Sequence, residues 1–213
     1  TCALPIWLIN GLHLSKNLVH TVANAIDKNY IKKCISEKNP FDVSEKVRFV
    51  AVGRFHAVKG FDMLVKAFKI VKSIIPYSEL FIVGEYHDDN PVYQEIQKYL
   101  GQNDLEDSVV CTGFKANPYV YMKNADCFVL SSRNEGLPNV MIEALYLGTP
   151  VAAMKCIPVI ERIVAEGKTG YLAGKENIEE LADAMIKASE LGRIVTTYNL
   201  NTEEKFVEIF RNI

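Results

Sequence analysis

Between residues 47 and 190 the chain keeps switching between two hydrophobic periods, and this alternation constrains its fold more than any other feature. Phe49-Val50-Ala51-Val52 is a continuous apolar run closed by Gly53, the pattern of a parallel strand covered on both faces. Next, Phe61, Leu64, Val65, Phe68, Val71 and Ile75 recur at helical spacing, with Lys66, Lys69 and Lys72 left for the outer face and Pro76 to stop the run. The alternation repeats through Leu80-Phe81-Ile82-Val83 ending at Gly84, a helix over residues 91–100, a strand over 109–112 and a short helix near Tyr119. It continues through a strand over 127–130, a helix over 139–147, a short strand Val151-Ala152-Ala153, a Gly170-Tyr171-Leu172 element and a helix over 178–190. Such βαβ repetition predicts an α/β fold with a doubly wound parallel sheet and right-handed crossovers.

The flanks carry less information. Residues 7–40 are mixed in pattern and read as an interdomain lead-in with the remnant of an N-terminal domain; residues 41–195 form the α/β domain; residues 196–213, with Phe206, Val207 and Phe210, read as one further amphipathic helix. The opening Thr1-Cys2-Ala3-Leu4-Pro5-Ile6 spells what a widely used sequencing adapter encodes in one reading frame. Residues 1–6 are therefore expected to be foreign, with the protein continuing upstream of them.

Charge and cysteine usage exclude several partners. A formal net charge of −2 without any long block of one sign leaves no electrostatic footprint for nucleic acid or an anionic membrane. No apolar run reaches the about 18 residues of a membrane-spanning helix, and the start lacks a signal-peptide pattern. A cytoplasmic location, extending to the inner face of the membrane, is the expectation. The five cysteines are widely spaced without a Cys-x-x-Cys pair, so they are expected to be core residues of a reducing compartment.

Ligands of open α/β sheets bind beyond the carboxyl ends of the strands. Two loops there are informative. Gly53-Arg54-Phe55-His56-Ala57-Val58-Lys59-Gly60 puts a guanidinium and an ammonium into one strand-to-helix loop. That set suits a diphosphate: a planar fork, a compact charge, and a helix start with free N–H donors. The second loop is Ser131-Ser132-Arg133-Asn134-Glu135-Gly136-Leu137-Pro138, running into Asn139 and Val140, with Glu143 eight residues beyond Glu135. If the helix starts near Asn139, Glu143 lies roughly 6 Å along its axis, at about 1.5 Å per residue, with Val140 and Leu147 on the same face. A carboxylate on an apolar stripe needs donors. Ribose hydroxyls would serve, as sugar hydroxyls would for Glu135; the alternative is an ordinary early-helix acid and a solvated loop residue, and spacing leaves both open.

Taken jointly, these segments resemble the retaining GT-B glycosyltransferases of the family-4 type. Gly53-Arg54, Lys59-Gly60-Phe61, Gly84-Glu85, Thr112-Gly113-Phe114, the Glu-x7-Glu span from Glu135 to Glu143, Gly148-Thr149-Pro150-Val151 and Gly167-Lys168-Thr169-Gly170-Tyr171-Leu172 stand in that family's order. The resemblance runs over about residues 20–190, and residues 22–27 look like the family's entry into its C-terminal domain. It implies one half of a GT-B fold, Rossmann-like, that holds a nucleoside-diphosphate sugar. By that resemblance Arg54 and Lys59, on the Gly53 loop, hold the diphosphate; Glu135 and the backbone of Gly136, Leu137, Pro138, Asn139 and Val140 hold the sugar; Glu143 holds the ribose. Gly84, Thr112, Gly113 and Lys115 lie toward the base. The implied reaction is transfer to a glycan or lipid-linked acceptor with retained anomeric configuration, in cell-surface polysaccharide synthesis, with no cofactor and no metal. The donor expected from the family's commonest use is a UDP-sugar.

One departure stands out. Where the family often has a Cys-Pro-x-Gly-like turn, this chain has Cys156-Ile157-Pro158-Val159-Ile160-Glu161, without the glycine that eases backbone toward the sugar. Asp88-Asp89 is read as a solvated loop rather than a metal motif, His56 as an exposed loop residue, and Tyr119 and Tyr121 as packing for a short helix, with a place near the base left open for Tyr119 because it follows the loop at residues 112–115. An NAD-dependent enzyme is disfavoured by the missing Gly-x-Gly-x-x-Gly after the first strand, an epimerase by the intact Glu-x7-Glu span, and a phosphorylase by the lack of a pyridoxal-phosphate lysine segment. The standing alternative is a donor-binding module that is inactive without an N-terminal acceptor domain, through which any peripheral membrane association would run.

Overall fold

A computed structural model of the chain describes residues 26–41 and 45–196. The expected foreign leader, most of the lead-in and the C-terminal amphipathic helix lie outside the described residues. Six strands form one parallel sheet: β1 (Val47–Val52), β2 (Ser78–Val83), β3 (Val109–Gly113), β4 (Cys127–Leu130), β5 (Val151–Met154) and β6 (Gly170–Ala173). Their spatial order is β3-β2-β1-β4-β5-β6. The helices in chain order are α1 (Lys28–Cys34), α2 (Phe61–Ile74), α3 (Pro91–Gly101), α4 (Tyr119–Asn124), α5 (Asn139–Tyr146), α6 (Ile160–Ile163) and α7 (Ile178–Ser189).

The continuous apolar runs are explained by two cores, one on each face of the sheet. Phe49, Ala51, Leu80, Ile82, Cys127, Val129, Ala152 and Met154 point to α2, α3 and α7. Val50, Val83, Phe128, Leu130, Val151 and Ala153 point the other way, to α1, α4, α5 and α6. Alternate residues of one strand thus enter different cores, and neither face tolerates a polar residue. Phe49, Phe68 and Phe128 are fully buried, and so are Leu80 and Ile82; burial of each is worth about 1.5–3 kcal/mol.

Three elements were not drawn from the sequence. The stretch around Lys28, read as a polar connection, contains α1: Asp27 caps it by accepting from the Tyr30 N–H, while Ile31 and Cys34 are buried. It docks on the second core, where Asn117 Nδ2 donates to the Cys34 carbonyl at 2.9 Å and the Tyr30 and Tyr119 rings meet edge-on at 6.1 Å. A single 3-10 turn covers Ala57–Lys59, and α6 is one turn long.

Among the described residues Cys34, Cys127 and Cys156 are buried, Cys111 is half-buried, and all four are free thiols. Burial pushes the Cys111 thiol up to about 11, so it stays protonated at neutral pH. No helix among the described residues is long and apolar enough to cross a membrane.

Candidate functional site

The strand order reverses at β1, where β2 lies on one side and β4 on the other. A crevice opens at that switch point, beyond the carboxyl ends of the two strands. The loops leaving β1 and β4 are residues 53–60 and 131–138, so the two segments singled out in the sequence are neighbours in space. Lys59 Nζ donates to Glu135 Oε1 at 2.7 Å across 76 residues of chain. Both side chains are largely buried, 24% and 11% exposed respectively. The same Glu135 oxygen accepts from Ser132 Oγ at 2.7 Å. Glu135 is therefore not a solvated loop residue in this fold but half of an ion pair.

The turn bearing Lys59 is clamped from the β4 side. Ser131 Oγ donates to the Lys59 carbonyl at 2.9 Å, and the Arg133 N–H to the Val58 carbonyl at 2.8 Å. The Arg133 guanidinium donates to the Ala57 carbonyl at 2.7 Å and grips Asp62 with both terminal nitrogens, at 2.8 and 2.6 Å. Burial raises the Asp62 pKa, but the hydrogen bonds and charge of Arg133 outweigh it and hold the carboxyl below its ordinary value. Gly60 takes φ +64°, and a Cβ there would sit 2.1 Å from the Ser131 carbonyl oxygen, so only glycine allows this approach.

Arg54 is on the same loop but faces outward. It is exposed and, among the described residues, makes no hydrogen bond or ion pair. It lines an opening of about 420 Å³ together with His56, Glu85, His87 and Asn90. His56 is exposed, as expected, though not idle: its Nδ1 accepts from the Val58 N–H at 3.2 Å and caps the 3-10 turn. Beneath it Phe55, Phe61, Tyr86 and Tyr93 form a ring cluster, with Tyr86 and Tyr93 stacked at 3.9 Å. Asn90 Nδ2 donates to the Phe55 carbonyl at 3.0 Å and ties the β1 and β2 loops together.

Helix α5 begins at Asn139, and no side chain caps its first turn. Its first turn contains no acidic residue, so the positive dipole end is not offset from within the helix. Gly136 and Asn139 are exposed, Leu137 and Val140 half-buried and Pro138 buried. A Cβ on Gly136 would meet nothing within 4 Å, so the space beside that backbone is open. Glu143, one turn in, is half-buried between Val140 and Leu147, as the helical spacing predicts. Burial raises its pKa and the Tyr119 hydroxyl, which approaches Oε1 at 3.4 Å, lowers it; burial wins. Tyr119 is pushed up to about 12, by burial first and by the Glu143 charge second, and stays a donor.

The base-side residues group at the ends of β2 and β3. The Gly84 N–H donates to the Gly113 carbonyl at 3.2 Å, and a Cβ on Gly84 would overlap the Gly53 carbonyl oxygen at 1.7 Å. Gly113 takes φ +71°. Thr112 is half-buried, Lys115 exposed, and Phe114 between them is 72% exposed. Cys156 lies close enough to feel the charges of Glu135, Lys175 and Lys59. Arg133, Ser131 and Ser132 are site residues that sequence reasoning gave no role, and Tyr119, read there as helix packing, also meets Glu143; backbone carbonyls are the partners of Arg133 and Ser131, and a carbonyl has no residue-type signature. Among the described residues no group of three or more His, Cys, Asp or Glu is arranged to hold a metal ion.

A six-stranded parallel sheet of this order, with helices on both faces, defines a Rossmann-like α/β domain. The chain belongs to the family of glycosyl transferases group 1, whose model matches residues 32–208. It is similar to an uncharacterized glycosyltransferase of Haemophilus influenzae, 32% identical over 157 residues, covering 72% of this chain and 43% of that protein. It is 31% identical over 143 residues to the poly(glycerol-phosphate) alpha-glucosyltransferase of Bacillus subtilis, covering 67% of this chain and 21% of that one. The chain thus spans less than half the length of these relatives. Anabaena HepE in complex with UDP shares the fold, with a TM-score of 0.75 and 19% identity over 96% of this chain and 60% of HepE. So does S. aureus TarM, solved with UDP, Fondaparinux and alpha-GlcNAc-glycerol: TM-score 0.74, 21% identity, 99% of this chain and 42% of TarM.

Proposed function

We propose that this domain holds the donor of a glycosyltransferase: a nucleoside-diphosphate sugar, with a UDP-sugar as first candidate. The observation that carries the reading is the Lys59–Glu135 pair, closed at 2.7 Å at the switch point next to the uncapped start of α5. A cation and a carboxylate held together there suit the two adjoining parts of the donor, its diphosphate and its sugar. Arg54 and Lys59 take the diphosphate, with the α5 amino end adding N–H donors. Glu135 and the backbone of residues 136–140 take the sugar, Glu143 the ribose, and the loops at Gly84 and residues 112–115 the base. UDP bound to HepE and to TarM, which share the fold, supports the uridine candidate.

In the reaction, an acceptor hydroxyl oxygen forms a bond to the anomeric carbon on the face the diphosphate leaves, which retains configuration. The breaking bond leaves its electron pair on the diphosphate, and the hydroxyl proton passes to that oxygen. Negative charge therefore grows beside Arg54, Lys59 and the α5 amino end, which stabilise it without a metal. Relatives named for poly(glycerol-phosphate) glucosylation and for capsular polysaccharide biosynthesis favour a glycan or lipid-linked acceptor.

The span of the match, less than half of those relatives, favours a second reading in which this stretch binds donor and transfers nothing without further chain. The two share one test. UDP, GDP and ADP are titrated calorimetrically, with EDTA present, into the protein and into an Arg54→Ala/Lys59→Ala double variant. The expected result is binding of one nucleotide that the double variant loses. Binding by neither, in a demonstrably folded protein, sinks the donor-site assignment. Hydrolysis or transfer of the matching nucleotide sugar then separates enzyme from module.

A further inference from the structure

Three successive carbonyls of the phosphate-side turn, those of Ala57, Val58 and Lys59, are each taken by a donor from the β4 loop. The Arg133 side chain holds the first at 2.7 Å, the Arg133 backbone N–H the second at 2.8 Å, and Ser131 Oγ the third at 2.9 Å. Apart from the bond of Lys59 Nζ to Glu135, the other hydrogen bonds of residues 57–59 run inside the turn, to His56 and Gly60. The position of Lys59 is thus set from residues 131–133 rather than by its own strand. The guanidinium is in turn fixed by both oxygens of Asp62, in the first turn of α2, and lies 3.7 Å from Glu176. Three of its five N–H donors are taken by protein acceptors, one carbonyl and both oxygens of a carboxylate, which is the arrangement of a brace. Holding a carbonyl and a bidentate carboxylate at once requires a planar fork, which lysine lacks.

We propose that Arg133 is the positioning residue of the donor site, setting diphosphate affinity through the placement of Lys59. This rests on the donor-site reading above. Removing the brace frees the turn to shift Lys59, and a weakened charge-assisted contact to the diphosphate costs about tenfold in affinity.

The test is a double-variant cycle read by titration of UDP, with GDP and ADP alongside and EDTA present. The four proteins are wild type, Arg133→Gln, Lys59→Ala and the combination, with Tm recorded for each. Arg133→Gln is expected to weaken binding about tenfold or more in the wild-type background, and less than about twofold where Lys59 is already gone. Arg133→Lys is not expected to restore it. Equal losses in both backgrounds would mean that Arg133 touches the nucleotide itself, and unchanged affinity would mean that the brace serves stability alone; either overturns the proposal. Should Arg133→Gln fail to fold, Asp62→Asn loosens the same guanidinium and replaces it in the cycle. A wild-type protein that binds no nucleotide fails the donor-site reading first, a result distinct from wild-type binding that ignores Arg133.

Discussion

Glu143 and Glu135 sit in one site yet carry opposite balances of charge. Glu135 is met by Lys59 at 2.7 Å, whereas among the described residues the hydrogen-bond partner of the Glu143 carboxylate is the tyrosine hydroxyl at 3.4 Å, and burial raises its pKa. A carboxyl whose folded pKa lies above its unfolded value binds protons more tightly in the native state. Its contribution to stability is therefore fully present below the unfolded pKa and is lost as pH rises through the folded pKa. At neutral pH the ionised Glu143 opposes folding, the pattern expected of a side chain kept for a ligand rather than for the fold. Glu143→Gln is accordingly expected to keep or raise Tm at pH 7, with the difference from wild type shrinking as pH falls from 7 toward about 4. Nucleotide affinity should drop about tenfold, the worth of one hydrogen bond to a charged group. Calorimetric scans at the two pH values with a UDP titration check both; a lower Tm at pH 7 would show that the carboxylate is paired better than its contacts indicate.

At the scale of loops and elements, two glycines of the site separate structural from ligand constraints. A Cβ on Gly84 would lie 1.7 Å from the Gly53 carbonyl oxygen, and backbone cannot move aside as a side chain can. Gly84→Ala should therefore push the β1 and β2 loops apart and destabilise by about 1–3 kcal/mol, visible as a lower urea midpoint. Gly136→Ala meets nothing within 4 Å. It should leave the midpoint in place and weaken nucleotide-sugar binding more than binding of the free nucleotide, if the sugar lies against that backbone. Equal loss for both ligands would move the sugar elsewhere.

These contrasts also show where the sequence was legible. The strands were, because burial on both faces forces unbroken runs such as Leu80 to Val83, and α2, α3 and α7 were, because each is at least three turns long. Helix α1, the 3-10 turn and α6 were not: one or two turns give too few apolar positions for a period to emerge. At the site, Lys59 and Glu135 could be picked from loop chemistry and the family resemblance. Their direct pairing, and the grip of Ser131 and Arg133 on main-chain carbonyls, are long-range contacts that leave no spacing along the chain.

At the scale of the whole molecule, the site loops leave different strands yet converge on one crevice, and a ligand there would tie both halves of the sheet together. Residues 53–60 follow β1 and bear on α2; residues 131–138 follow β4 and lead into α5. Opening either loop lets solvent into the crevice, so a donor that bridges them stabilises the domain as a unit. At a nucleotide concentration of about 100 times Kd, that linkage adds about 2.7 kcal/mol, or about 5–10 °C in Tm for a domain of this size. A thermal-shift series of UDP, GDP and ADP with EDTA should therefore show one base giving a rise of that order and the others much less. The Arg54→Ala/Lys59→Ala variant should lose the rise; its ligand-free Tm is expected to fall too, because the largely buried Glu135 carboxylate loses its cation, so each rise is read against that protein's own ligand-free Tm. A rise that persists in the double variant would place the nucleotide away from the switch point and detach the geometry of these loops from donor binding.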